Sequence, residues 1–164
     1  MSTETSSMFP KVVSWGMLLN TTEARQLIEA RLYLETSLVE LAAIRSTESE
    51  RANLVELLKQ MEKASDAQEF ADFDSEFHLE IARSAKNLVL SSTLENTKSL
   101  LQAWVERVVE NSTNRNWVNE QHTQILEAIE NQDPVAAKEA MKAHLQEVTN
   151  RLLSSLHDAE SGEK

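Results

Sequence analysis

Apolar residues recur at helical spacing through most of the chain, and the stripes they draw predict six long helices separated by short polar breaks. Asn20, with Glu23 three residues on, reads as the cap of a first helix running to about Arg45. Its inward stripe is Ala24, Leu27 or Ile28, Arg31, Leu34, Leu38, and Leu41 or Ala42. Thr47 and Glu50 form a second capping pattern, opening a helix to about Ala64 that carries Leu54, Leu57, Leu58 and Met61. The third helix spans Asp66 to Ser84. Lys86-Asn87 breaks the chain, with Asn87 expected to take the left-handed conformation that ends helices. A fourth helix, Leu88 to Asn111, places Leu90, Leu94, Leu101, Trp104 and Val108 on one stripe. Polar residues 112–116 turn the chain into a fifth helix, Trp117 to Glu130. Asp133-Pro134 then starts a sixth, with Asp as cap and Pro in the first turn, ending near Leu156. Residues 1–19 read as a leader with a helical turn at Val12 to Met17, residues 20–157 as one domain, and residues 158–164 as a polar tail.

Composition supports an all-α fold. The 164 residues include only two glycines and two prolines, too few for the turns a sheet needs. There is no cysteine, which removes disulfides and thiolate metal sites and suits a reducing compartment. A net charge of −11 argues against direct nucleic-acid binding, since phosphate contacts need clustered Lys and Arg. No apolar run approaches the ~20 residues of a membrane span. The opening MSTETSS lacks the basic and apolar regions of a secretory signal, so the expected location is cytoplasmic.

Polar residues inside the stripes carry the candidate chemistry. Asp74 and His78 sit four apart on one helical face, in phase with Phe73, Phe77, Ile81 and Ala85. His122 lies on the stripe Val118, His122, Ile125, Ile129, and His144 on Ala137, Met141, His144, Val148, Leu152. Three of the four histidines are thus directed inward, where an uncompensated polar group is costly. Each alone fits a hydrogen-bonded core histidine. Together on three helices they fit a shared divalent metal, for which imidazole and carboxylate are suitable ligands. His157, followed by Asp158, Ala159 and Glu160, reads as solvated. Arg31 lies on the first helix's inward stripe with Glu35 one turn on, on a neighbouring face. It reads either as an intrahelical ion pair or as a guanidinium offered to a bound carboxylate.

The motifs D-x-x-F-H-L-x-I-A then A-x-N (Asp74 to Asn87), E-A-R-L-x-L-E (Glu29 to Glu35), Q-H-x-x-I-L-x-A-I (Gln121 to Ile129) and A-x-x-A-M-x-x-H-L (Ala137 to Leu145) resemble the FCD domain. That is the C-terminal effector domain of FadR-type GntR transcriptional regulators. The resemblance implies an antiparallel bundle of six to seven helices around a central cavity. It also implies one divalent metal per chain (zinc, nickel or manganese), a small organic acid beside it, and a homodimer. Carried over by position, Asp74, His78, His122 and His144 match the metal ligands and Arg31 resembles the effector-facing arginine. The family's winged helix-turn-helix has no counterpart in residues 1–19, so the expectation is an excised effector domain or a headless relative.

Three functions follow from these readings. The first is a metal-assisted sensor of a small acid that controls DNA binding by an attached domain. The second is a metalloenzyme, disfavoured because Glu76 and Glu80 point away from the inward face and leave no second acid–base group. The third is a structural or partner-binding bundle without metal. Of these, a sensor rather than an enzyme is expected.

Overall fold

The computed structural model describes residues 21–110 and 115–161, with side chains except at 21–24, 98–108 and 155–161. The described residues form six helices and no strand: α1 (Thr21–Arg45), α2 (Glu48–Lys63), α3 (Ala67–Ser84), α4 (Leu88–Glu110), α5 (Asn116–Glu130) and α6 (Pro134–Ser161). The expected all-helical bundle is the fold. The leader, the Asn20 cap, and Leu101, Trp104 and Val108 of the α4 stripe lie outside the described residues or side chains.

Helix starts follow the local chemistry of the sequence. Thr47 Oγ1 accepts from the Glu50 amide at 3.3 Å while the Glu50 carboxylate accepts from the Thr47 amide at 2.8 Å, closing a reciprocal cap. Asp66 caps α3 by accepting from the Glu69 amide at 2.8 Å. Asp133 accepts from the amides of Val135 and Ala136 at 3.1 and 2.9 Å, with Pro134 opening α6. Asp66→Ala removes the acceptor for an otherwise unpaired amide. The expected result is a loss of about 1 kcal/mol in urea unfolding, with an unchanged m-value.

The break between α3 and α4 differs from the sequence expectation. Lys86 takes the left-handed conformation, at φ 54°, and Asn87 instead accepts the Leu90 amide at 3.1 Å as the cap of α4. The capping bond accounts for the exchange: Asn87, outside the left-handed region, uses its side chain to satisfy an orphan donor at the start of α4. The sixth helix also runs past Leu156 to Ser161, since no Pro or Gly interrupts it before Gly162.

Helix α1 packs against α3, α4, α5 and α6, and so it is buried over more than one stripe. Leu38, Val39, Ala42 and Ala43 are buried, and so is Glu35, which the sequence placed on a neighbouring face. Phe70, Phe77 and Ile81 from α3, Ile125 and Ile129 from α5, and Met141 from α6 fill the interior beside it. The polar residues of α1, α3, α5 and α6 meet within this apolar surround.

Candidate metal centre

Asp74 and His78 come from α3, one turn apart, while α5 brings His122 and α6 brings His144. All four are buried, and one ligand atom from each lies within 4.8 Å of the others. The rings of His122 and His144 have centroids 4.5 Å apart, and His78 stands 5.4 and 5.3 Å from them. The structure therefore gathers the four residues that sequence phase singled out, from three helices, into one cluster.

Hydrogen bonding within the cluster is incomplete in a specific way. His78 Nε2 and both ring nitrogens of His122 are buried without a hydrogen-bond partner. Asp74 Oδ1 lies 3.2 Å from His122 Nε2 and 3.9 Å from His78 Nε2. The 3.2 Å approach is close enough for attraction but lacks hydrogen-bond direction, so the nitrogen remains unsatisfied. Orphaned buried nitrogens of this kind cost roughly 1–3 kcal/mol each unless something coordinates them. One carboxylate oxygen and three imidazoles form a hard-to-intermediate donor set that a divalent cation fits.

Outer partners orient two of the imidazoles. His78 Nδ1 donates to Glu35 Oε2, and His144 Nδ1 meets Gln121 Oε1 at 2.9 Å. A carboxylate only accepts, so a proton must sit on His78 Nδ1, and Nε2, on the Asp74 side, is the nitrogen through which His78 would meet a metal. Gln121 places the His144 proton likewise. The other Glu35 oxygen accepts from Arg31 Nε, and this i,i+4 ion pair is the plainer of the two readings of Arg31. Neither Glu35 nor Gln121 was among the sequence candidates. The Arg31–Glu35 spacing and the end of the E-A-R-L-x-L-E motif pointed to Glu35, and Gln121 stood only as the first letter of Q-H-x-x-I-L-x-A-I, with no role attached.

Charge in the cluster follows from burial and these pairings. Burial alone would raise the Glu35 carboxyl, but the Arg31 charge and His78 outweigh it and hold the group well below the usual carboxylate range. Asp74 is raised by burial, which His78 and Arg31 only partly offset. Burial drives His122 and His144 well below the ordinary 6.5, with neighbouring histidines and Arg31 acting in the same direction. Both are neutral near pH 7 and present lone pairs.

A cavity of about 10 Å³, room for roughly one water, touches the cluster between Arg31, Phe70, Asp74, Trp117, His144 and Val148. A second cavity, about 280 Å³, lies between α1 and α6, lined by Ile28, Leu32, Leu145 and Leu153 with Arg25 and Glu29. None of the four clustered residues lines it. Glu80 bonds to Asn53 and Arg83, and Glu76 to Arg83, which engages both outside the cluster.

A helical bundle with a buried Asp–His cluster at its centre defines a domain class, and comparison with known proteins identifies it. The FCD domain family matches residues 26–147, and the chain belongs to that family. The Uxu operon regulator of Haemophilus influenzae is 32% identical over 142 residues, covering 81% of this chain and 53% of the regulator. The chain thus spans about half the length of that curated relative. Among solved structures, Streptococcus agalactiae GntR is 27% identical with a TM-score of 0.62, covering 87% of this chain and 60% of that one. E. coli McbR/YncC has the same fold, with a TM-score of 0.73 at 18% identity over 82% of this chain and 70% of that one. The family and the relatives are transcription regulators rather than enzymes. No helix among the described residues is long and apolar enough to cross a membrane.

Proposed function

We propose that this chain is the ligand-sensing, dimerising effector domain of a GntR/FadR-type regulator. It holds one divalent metal through Asp74, His78, His122 and His144 and binds a small organic acid beside it. The observation that carries this reading is the set of unsatisfied nitrogens on His78 and His122, buried around the Asp74 oxygen. Zinc, nickel and manganese all suit oxygen and imidazole donors, and when bound such an ion would offer open positions to a carboxylate and a hydroxyl. Arg31 lines the adjoining cavity. Its Nε edge is engaged by Glu35, and its terminal nitrogens make no hydrogen bond among the described residues, so that edge serves as the acid's second anchor.

Size is what turns binding into a signal in this reading. A cavity with room for one water admits a carboxylate only if the walls formed by Val109 of α4, Trp117 of α5 and Val148 of α6 move outward. A ligand that favours the opened arrangement shifts the helix positions that set the spacing of attached winged helix-turn-helix domains. DNA contact belongs to those domains, in keeping with the net charge of −11 on this chain. Leu88 and Val89, largely exposed at the start of α4, offer apolar surface to a second copy. The expected location is the cytoplasm, where the DNA is.

Elemental analysis is expected to give one metal per chain after reconstitution with zinc, nickel or manganese, and light scattering the mass of two chains. A thermal-shift screen of small acids should raise the melting temperature of metal-loaded protein, by roughly 2.7 kcal/mol of stabilisation at a hundred times the dissociation constant. The shift should be lost on metal removal and weakened in Arg31→Ala. Stabilisation that survives both changes would place the acid elsewhere, with the cavity between α1 and α6 as the next site to test.

A further inference from the structure

We propose that Glu35 is a positioning residue shared by the metal ligand His78 and the anion anchor Arg31, so that neutralising Arg31 tightens the hold of His78 on a metal. This rests on the metal reading given above. Glu35 is 2% exposed and each of its oxygens has one partner: Oε1 accepts from Arg31 Nε and Oε2 from His78 Nδ1. Burial shuts the carboxylate off from bulk solvent, which would otherwise level out changes at either end. A stronger claim by Arg31 draws electron density from the oxygen pair and weakens acceptance from His78. A weaker claim does the reverse, making the imidazole a better donor at Nε2.

Long-range charge acts in the same direction. Asp74 and Glu35 bring two negative charges and Arg31 one positive, leaving one net negative charge to meet a divalent cation. An anion on the free edge of Arg31 cancels the cation that opposes the metal. Metal and anion thereby raise each other's affinity through Arg31 and Glu35, in addition to any direct contact between them, and the coupling is reciprocal. His144 supplies an internal comparison, because its outer partner Gln121 is neutral and has no hydrogen bond to Arg31. Only one of the three imidazoles is wired to the anion anchor. This separates Glu35 from a residue that merely fills space beneath the site.

The test measures zinc affinity by competition with a chromophoric chelator in the wild-type chain, Glu35→Ala, Glu35→Gln and Arg31→Met. It is joined by 15N NMR of the His78 ring in the metal-free protein. Zinc should bind ~10–100-fold more weakly in Glu35→Ala. Glu35→Gln, which keeps an acceptor and loses the charge, should fall between, and it decides the matter if the alanine variant does not fold. Arg31→Met should bind zinc several-fold more tightly than wild type. The His78 ring should carry its proton on Nδ1 in wild type and become a tautomer mixture in Glu35→Ala. Zinc affinity within twofold of wild type in both Glu35 variants, or weaker binding in Arg31→Met, overturns the positioning role alone. A wild-type chain that takes up no zinc, nickel or manganese overturns the metal reading and this inference with it.

Discussion

Replacing His122 with leucine is expected to change stability in opposite directions with and without metal. His122 is fully buried, both of its ring nitrogens lack hydrogen-bond partners, and Phe77 packs its ring 4.9 Å away. In metal-free protein the imidazole is therefore a liability in an apolar setting. An isobutyl group of similar size removes the unsatisfied nitrogens, and a gain of about 1–2 kcal/mol is expected. In metal-loaded protein the same change deletes one of four ligands. Affinity should fall at least about tenfold, or ~1.4 kcal/mol, and the stabilisation a saturating metal confers should shrink accordingly. Urea unfolding of both chains, with zinc and with a chelator, gives the four values needed. A metal-free His122→Leu chain that is clearly less stable than wild type would mean that His122 is held by bonds of its own, and the site would then be a polar core.

How much of this centre was legible beforehand depended on sequence separation. Asp74 and His78 announce themselves because four residues make one helical turn, and the surrounding Phe73, Phe77 and Ile81 fix the direction of that face. His122 and His144 were legible by phase alone, each standing where its own stripe required an apolar residue. What phase does not supply is the partner across the bundle. Glu35 reaches His78 over 43 positions and Gln121 reaches His144 over 23, and no local pattern encodes either pairing. Glu35 was further hidden because α1 is packed by four other helices, so a residue beside the main stripe is buried as deeply as one on it. The exchange of roles between Lys86 and Asn87 has a similar origin. Asn suits both a left-handed terminus and a cap, and the geometry of the following turn decides between them.

Acid should destabilise the metal-free protein through its buried histidines before Glu35 begins to protonate. His122 and His144 have folded values pushed well below 6.5 by burial, whereas in the unfolded chain they titrate near 6.5. A depressed folded value means that the unfolded state binds protons which the folded state refuses. Stability is therefore fully present above about pH 6.5 and is lost as pH falls toward the folded values. Each histidine contributes a slope approaching ~1.4 kcal/mol per pH unit, so the pair approaches roughly 2.7. Asp74 works in the other direction once it begins to titrate, because burial raises its folded value and protonation then favours the folded state. Glu35, held far below the usual range, adds a further loss only below about pH 4.3. Between neutrality and the onset of Asp74 titration the histidines decide the sign. Urea unfolding of chelator-treated protein between pH 7.5 and 5.5 should show this fall, with about half the slope in His122→Leu. The metal-loaded protein should start from a higher plateau, because the cation binds the folded chain and not the unfolded one. It should fall more steeply once protons displace the ion. A metal-free profile that is flat across this range in the Asp74→Asn chain as well, where the opposing carboxyl is gone, would mean that His122 and His144 accept protons in the folded bundle and that the desolvated cluster does not exist.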